Sequence, residues 1–133
     1  MPEVLELPSE VASVAAAEAW VAEVCEACGL GEDEQYRLGL AVHEAAANAV
    51  LHGNRQDPAK RVRLSWERRD GRLYVTVGDE GEGFTPPEPS DGPSLKPSGR
   101  GLIMIGRLAD GYETVRRDDP PGTDLVLVLN LIA

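Results

Sequence analysis

The chain has 133 residues, with 13 Lys and Arg against 23 Asp and Glu, a net charge of −10, and 42% hydrophobic residues. That length suits a single domain over residues 1–133, able to bury roughly two-thirds of its unfolded surface around one core. The acidic balance argues against direct nucleic-acid binding, which needs a cationic footprint, and against docking on an anionic membrane surface. With no cationic leader and no apolar run near the roughly 18 residues of a spanning helix, the expected location is the cytoplasm.

Val4-Leu-Glu-Leu-Pro8 reads as a short strand stopped by proline. Ser9 is then placed to cap a helix with Val11, Val14, Val21 and Cys25 at helical spacing, closed by Gly29. Cys25 and Cys28 are the only cysteines. One pair cannot complete a four-ligand zinc site, and no strand precedes it as a redox motif would require, so both read as small, partly buried helical residues. A second helix starts at the acidic Glu32-Asp-Glu34, as the macrodipole favours, and runs with Leu38, Val42, Ala45 and Ala49 on one side to about Gly53.

A polar loop over 54–60 precedes Val62, Leu64 and Trp66, which alternate with polar residues as in a strand with one wet face. Asp70-Gly71 signals a hairpin, and Leu73, Val75 and Val77 continue on the buried face of the return strand. Asp79 keeps that parity, which aims a carboxylate at the core side where the strand ends. The proline-rich stretch 84–98 reads as a long loop of the kind that forms lids. A third helix follows from Ser98 or Gly99 with Leu102, Ile105 and Ala109 on one stripe, ending at Gly111. Residues 112–117 and 123–131 form two more strands about Pro120-Pro121-Gly122. The expected fold is an α+β two-layer sandwich, with helices packed on one face of a mixed or antiparallel sheet.

Within this frame Glu44 and Asn48 lie four apart, one turn along one helix face. A carboxylate and a carboxamide so placed suit Mg2+, which takes oxygen ligands and keeps phosphates and waters in its shell. The alternatives are a solvated helix face for Glu44 and a structural hydrogen bond for Asn48. His52, one turn further, reads as helix-end polarity or as part of the same site. Asp79, if ionised, only accepts hydrogen bonds and so suits an exocyclic amine such as adenine N6; an Asx-type bend before Gly81 is the blander reading. Gly81 and Gly83, and later Gly99 and Gly101, allow backbone amides to approach phosphate closely, with Arg100 as an adjacent cation. Thr123 shares parity with Leu125, Leu127 and Leu129, so it faces the same side as Asp79.

In order and spacing these elements resemble the Bergerat-fold (GHKL) ATPases, the superfamily of gyrase, histidine kinases and MutL. Glu44-x-x-x-Asn48-Ala-Val-x-His52-Gly53 resembles the N-box, Asp79-x-Gly81-x-Gly83-Phe84 the first glycine box, and Gly99-Arg-Gly101-Leu102 the second. The short length and the His-Gly and Gly-Arg-Gly-Leu details look most like bacterial anti-sigma factor serine/threonine kinases. The resemblance implies ATP or ADP as ligand, Asn48 as a Mg2+ ligand, and Glu44 as the residue that orients or deprotonates the attacking hydroxyl. It implies Asp79 as acceptor for the adenine amine, with Thr123 bonding to Asp79 or to a water beside it. Gly81, Gly83, Gly99 and Gly101 would shape pocket and lid, and Arg100 would reach the terminal phosphate. The proline-rich lid departs from the family pattern.

The function so implied is a kinase that binds a sigma factor and phosphorylates an anti-anti-sigma (STAS) protein. A non-catalytic ATP-binding module that presents a protein-binding surface is the alternative. A detached histidine-kinase catalytic domain fits less well, because the chain lacks a dimerising hairpin with its own acceptor histidine. Family likeness also implies a homodimer, for which residues 4–7 and the strand near Val62 are candidate sheet edges. Arg61, Arg63, Arg68 and Arg69 form a basic patch for contacts, or simply a solvated strand face.

Overall fold

Period-two alternation builds the sheet. The computed structural model describes residues 4–53, 59–80, 104–118 and 121–131. Its five strands are β1 (Leu5–Pro8), β2 (Arg61–Arg69), β3 (Arg72–Asp79), β4 (Gly111–Asp118) and β5 (Pro121–Asn130). They run in the order β1-β2-β3-β5-β4, and every neighbouring pair is antiparallel. Two helices, α1 (Ala12–Cys28) and α2 (Glu32–Asn48), cover the apolar face. The sandwich is thus the expected α+β one, in its fully antiparallel form.

The inward positions of the three central strands are Val62, Leu64, Leu73, Val75, Val77, Leu125, Leu127 and Leu129, all buried. They meet Ala17, Val21, Val24 and Cys25 of α1 and Leu38, Val42, Ala45 and Ala46 of α2 in one core. The alanines keep α1 and α2 narrow enough to pack on each other and on the sheet together. Cys25 and Cys28 are both free thiols. Burial, with smaller contributions from Cys28 and Glu34, pushes the Cys25 thiol up to about 11, as expected of a packing residue rather than a reactive one.

Turn chemistry follows local rules. Asp70 and Gly71 join β2 to β3 with φ of 52° and 75°, the doubly positive pair of a two-residue hairpin turn. Gly29 ends α1 at φ 67°, its N–H bonding to Glu26 O while Leu30 N–H reaches Cys25 O, a Schellman closure.

Four expectations need correction. Ser9 does not cap α1: its N–H is still tied to the sheet at Lys60 O (3.2 Å), so the helix starts three residues later. Ser13 instead turns back to donate to Pro8 O at 2.6 Å. Val11 therefore lies off the core stripe, 64% exposed, and Ala17, Val21 and Val24 take its place. The strand near Val62 is not an edge, because β2 lies between β1 and β3; the edges are β1 and β4. The last helix does not reach Gly111, which already belongs to β4: residues 104–108 are helical and 109–110 bend. The start of that helix, the 84–98 loop, and both glycine boxes beyond Glu80 lie outside the described residues.

Candidate functional site

Five polar or charged residues are buried among the described ones: Ser9, Ser13, Asn48, Asp79 and Thr123. The last three are sequence-predicted site positions. Burial of such groups demands partners, so where those partners come from defines the site.

Asp79 ends β3 on the inward side, 2% exposed, in register with Thr123 of β5. The Thr123 N–H lies 3.3 Å from Asp79 Oδ1 and donates to it. The sequence reading of a shared face thus becomes a direct pairing. Two residues that reading passed over touch the same pair. Arg116 Nη1 donates to Thr123 Oγ1 at 3.4 Å. Arg117, on the opposite sheet face, donates to the Asp79 carbonyl and pairs with the Asp124 carboxylate. The guanidinium fits there because Gly122 has no side chain: a Cβ would run into the Asp79 carbonyl oxygen and Arg117 Nη2. The β4 positions opposite Thr123 and Gly122 were the signals for Arg116 and Arg117, but they become readable only once the β4–β5 register is known.

Asn48 is the last residue of α2, 4% exposed, and Glu44 sits half-buried one turn earlier on the same face. Directly after Asn48 the helix widens into a π-helical turn, Ala49–Gly53, a distortion frequent at functional sites. His52 lies within that turn. The end of α2 and the π-turn pack against β3, so the two halves of the candidate site come from layers in contact. Asn48 Nδ2 is buried with no hydrogen-bond partner among the described residues. An unsatisfied buried amide costs roughly 1–3 kcal/mol; Ser9 Oγ is likewise buried without a partner among the described residues, and of the two only Asn48 is a sequence-predicted site position. A neighbouring cross-helix contact, His43 Nδ1 with Glu18 Oε1, ties α1 to the turn of α2 that carries Glu44.

The donor set bears on Mg2+. No three His, Cys, Asp or Glu side chains cluster among the described residues, so the fit to Mg2+ rests on Asn48. Mg2+ is usually held by one or two side chains plus phosphate oxygens and water. The carboxamide of Asn48, unanchored at its nitrogen, can present its oxygen to it.

Comparison with known proteins identifies the class. A family model described as Histidine kinase-like ATPase domain matches residues 7–129, and the chain belongs to that family. Family membership implies ATP binding. Within the family the chain is similar to anti-sigma F factors: it is 30% identical over 105 residues to that of Bacillus velezensis, covering 74% of this chain and 71% of the relative. The anti-sigma F factor of Oceanobacillus iheyensis is 27% identical over the same shares. Blue-light-activated histidine kinase 1 of Erythrobacter litoralis is 36% identical over 90 residues, 67% of this chain but 24% of that kinase. The fold matches a crystal structure of RsbU and RsbW domains from Mycobacterium tuberculosis with a TM-score of 0.72 at 20% identity, covering 98% of this chain and 32% of that one. No described helix is long and apolar enough to cross a membrane.

Proposed function

We propose that this domain is an anti-sigma factor serine/threonine kinase: it binds Mg-ATP, binds a sigma factor, and phosphorylates an anti-anti-sigma protein of the STAS type. The observation that carries the reading is the buried Asp79 carboxylate, held by the Thr123 N–H at the inner end of the sheet. An acceptor fixed there matches the N6 amine of adenine and opposes guanine O6. Likeness to the anti-sigma F factors supplies the partner class.

In this reading Asn48 would hold Mg2+, which when bound would supply charge neutralisation on the phosphates. Glu44 accepts the proton of the substrate's serine or threonine hydroxyl as its oxygen bonds to the γ-phosphorus and the bond to the ADP oxygen breaks. Gly81, Gly83, Gly99, Arg100 and Gly101 are assigned to the phosphates and lid by sequence alone. A second reading, a non-catalytic ATP-binding module, has one observation in its favour: the buried groups at the candidate site, Asn48, Asp79 and Thr123, are all assigned to binding, and chemistry rests on the half-buried Glu44.

Two measurements test this. Calorimetry is expected to give ADP about one to two decades tighter than GDP, with Asp79→Asn erasing the difference; equal affinities would sink the adenine assignment. Incubation with γ-labelled ATP and candidate STAS proteins separates the two readings. Glu44→Ala is expected to retain ADP binding and lose about 10²–10⁴ in transfer rate; binding without transfer in the parent leaves the module.

A further inference from the structure

β3 arrives at the site as its ladder runs out. Its register with β2 ends at the Arg63–Gly78 pair, and its register with β5 ends at Asp79–Thr123. Asp79 is therefore the last rung on one side and one step past the last rung on the other. Side chains take over there. On the β2 side the Glu80 carboxylate accepts from the Arg61 N–H. On the β5 side the Arg117 guanidinium reaches across from β4.

Arg117 is paired with Gly122, one step from the inward Thr123, and so stands on the outer face of the sheet. Its Nη1 donates to the Asp124 carboxylate on β5, and its Nη2 donates to the Asp79 carbonyl on β3. One guanidinium thus spans three strands, with its side chain only 15% exposed. Two glycines make room for it. A Cβ at Gly78 would meet Arg117 Nη1 and the Asp124 carboxylate, and one at Gly122 would meet Arg117 Nη2 and the Asp79 carbonyl oxygen. A planar fork with charge-assisted bonds to both neighbours acts as a fixed strut.

On the inner face the Asp79 carboxylate is held separately, by the Thr123 N–H at 3.3 Å. Where that carboxylate can reach depends on where the Asp79 main chain sits, and Arg117 grips that main chain by its carbonyl. We propose that Arg117 is a positioning residue for nucleotide binding: from the outer face it fixes the Asp79 main chain and so sets the inner carboxylate for the adenine amine. The proposal rests on the adenine reading of Asp79. Arg117 itself touches no ligand.

Titration calorimetry with ADP and with purine riboside 5′-diphosphate, which carries hydrogen in place of the N6 amine, tests it. The parent is expected to prefer ADP. Arg117→Met combined with Asp124→Asn removes the strut without leaving a lone carboxylate, and the preference is expected to fall about tenfold, the worth of one hydrogen bond. Arg117→Met alone is expected to give the same fall. In an Asp79→Asn background neither change is expected to move the ratio further. Leu129→Val loosens the buried far end of β5 and is expected to lower the urea midpoint while leaving the ratio unmoved. An unchanged ratio in the Arg117 variants, an equal fall in Leu129→Val, or a further fall in the Asp79→Asn background would overturn the proposal. A preference that Asp79→Asn erases and strut removal does not touch leaves the adenine reading standing and sinks this proposal alone. Failure of the adenine reading looks different: the parent would not distinguish the two ligands, or Asp79→Asn would keep the preference, and both ideas would fall together.

Discussion

Asn48 occupies the last position of α2 with an amide nitrogen that is buried and unmatched among the described residues. Residues kept for binding often sit where a stability-driven choice would differ. Asn48→Ala removes the orphaned amide and leaves a side chain that suits the adjoining Ala45, Ala46 and Ala49. The expected outcome is a nucleotide-free protein that melts within a few degrees of the parent or above it, while the stabilisation by Mg-ADP disappears. That stabilisation follows the ratio of ligand concentration to dissociation constant, so scanning calorimetry at several ADP concentrations reads it directly. A large loss of stability in the free protein, with ligand stabilisation intact, would make Asn48 a structural residue. Glu44 differs in kind: half-exposed one turn away, it has water available and needs no partner to be tolerated.

At the level of elements, the ends of β3 and β5 are locked by the Arg117 guanidinium lying over Gly122, against the Asp79 carbonyl and the Asp124 carboxylate. Gly122→Ala places a methyl group in that space, an overpacking that typically costs about 1–3 kcal/mol. Urea unfolding is expected to show that loss, with ADP affinity falling as well because Asp79 is displaced; unchanged stability would mean the strands part easily there. The glycine's task was not legible in the sequence, where Pro120-Pro121-Gly122 reads only as a turn. Asp70-Gly71 and Gly29 were legible, because positive φ is demanded by the chain within two or three residues. Asp79 and Thr123 were legible by parity along apolar strands. Arg116, Arg117 and the interior place of β2 were not, since each depends on which distant strands pair. Ser9 failed for a related reason: the bond from its N–H to Lys60 O is a long-range contact that overrides a local capping preference.

For the whole molecule, β1 is paired on one side only among the described residues, and Val4 just before it and Leu5 at its start are 52% and 38% exposed. An open strand edge with exposed apolar residues invites a second chain, and we propose β1 as the homodimer seam. The patch of arginines is partly spoken for, since Arg63 lies 3.8 Å from Glu6 and Arg69 stacks over Tyr74. Two copies of a chain carrying −10 repel, so association is expected to strengthen with added salt. Light scattering across salt concentrations checks this, and a monomer mass throughout would exclude the seam. The strand order has a separate consequence, in time rather than space. β5 follows the other four described strands in the chain, yet it lies between β3 and β4, and its Thr123 meets Asp79 across 44 residues of chain. On the ribosome, β1, β2 and β3 can pair before Pro121 is made, but the edge of β3 that β5 will take and the strand β4 have no partner until then. Such a nascent chain exposes pairing edges that invite aggregation, and a stop codon just before β5 would leave β1-β2-β3 with an open edge and β4 without its partner.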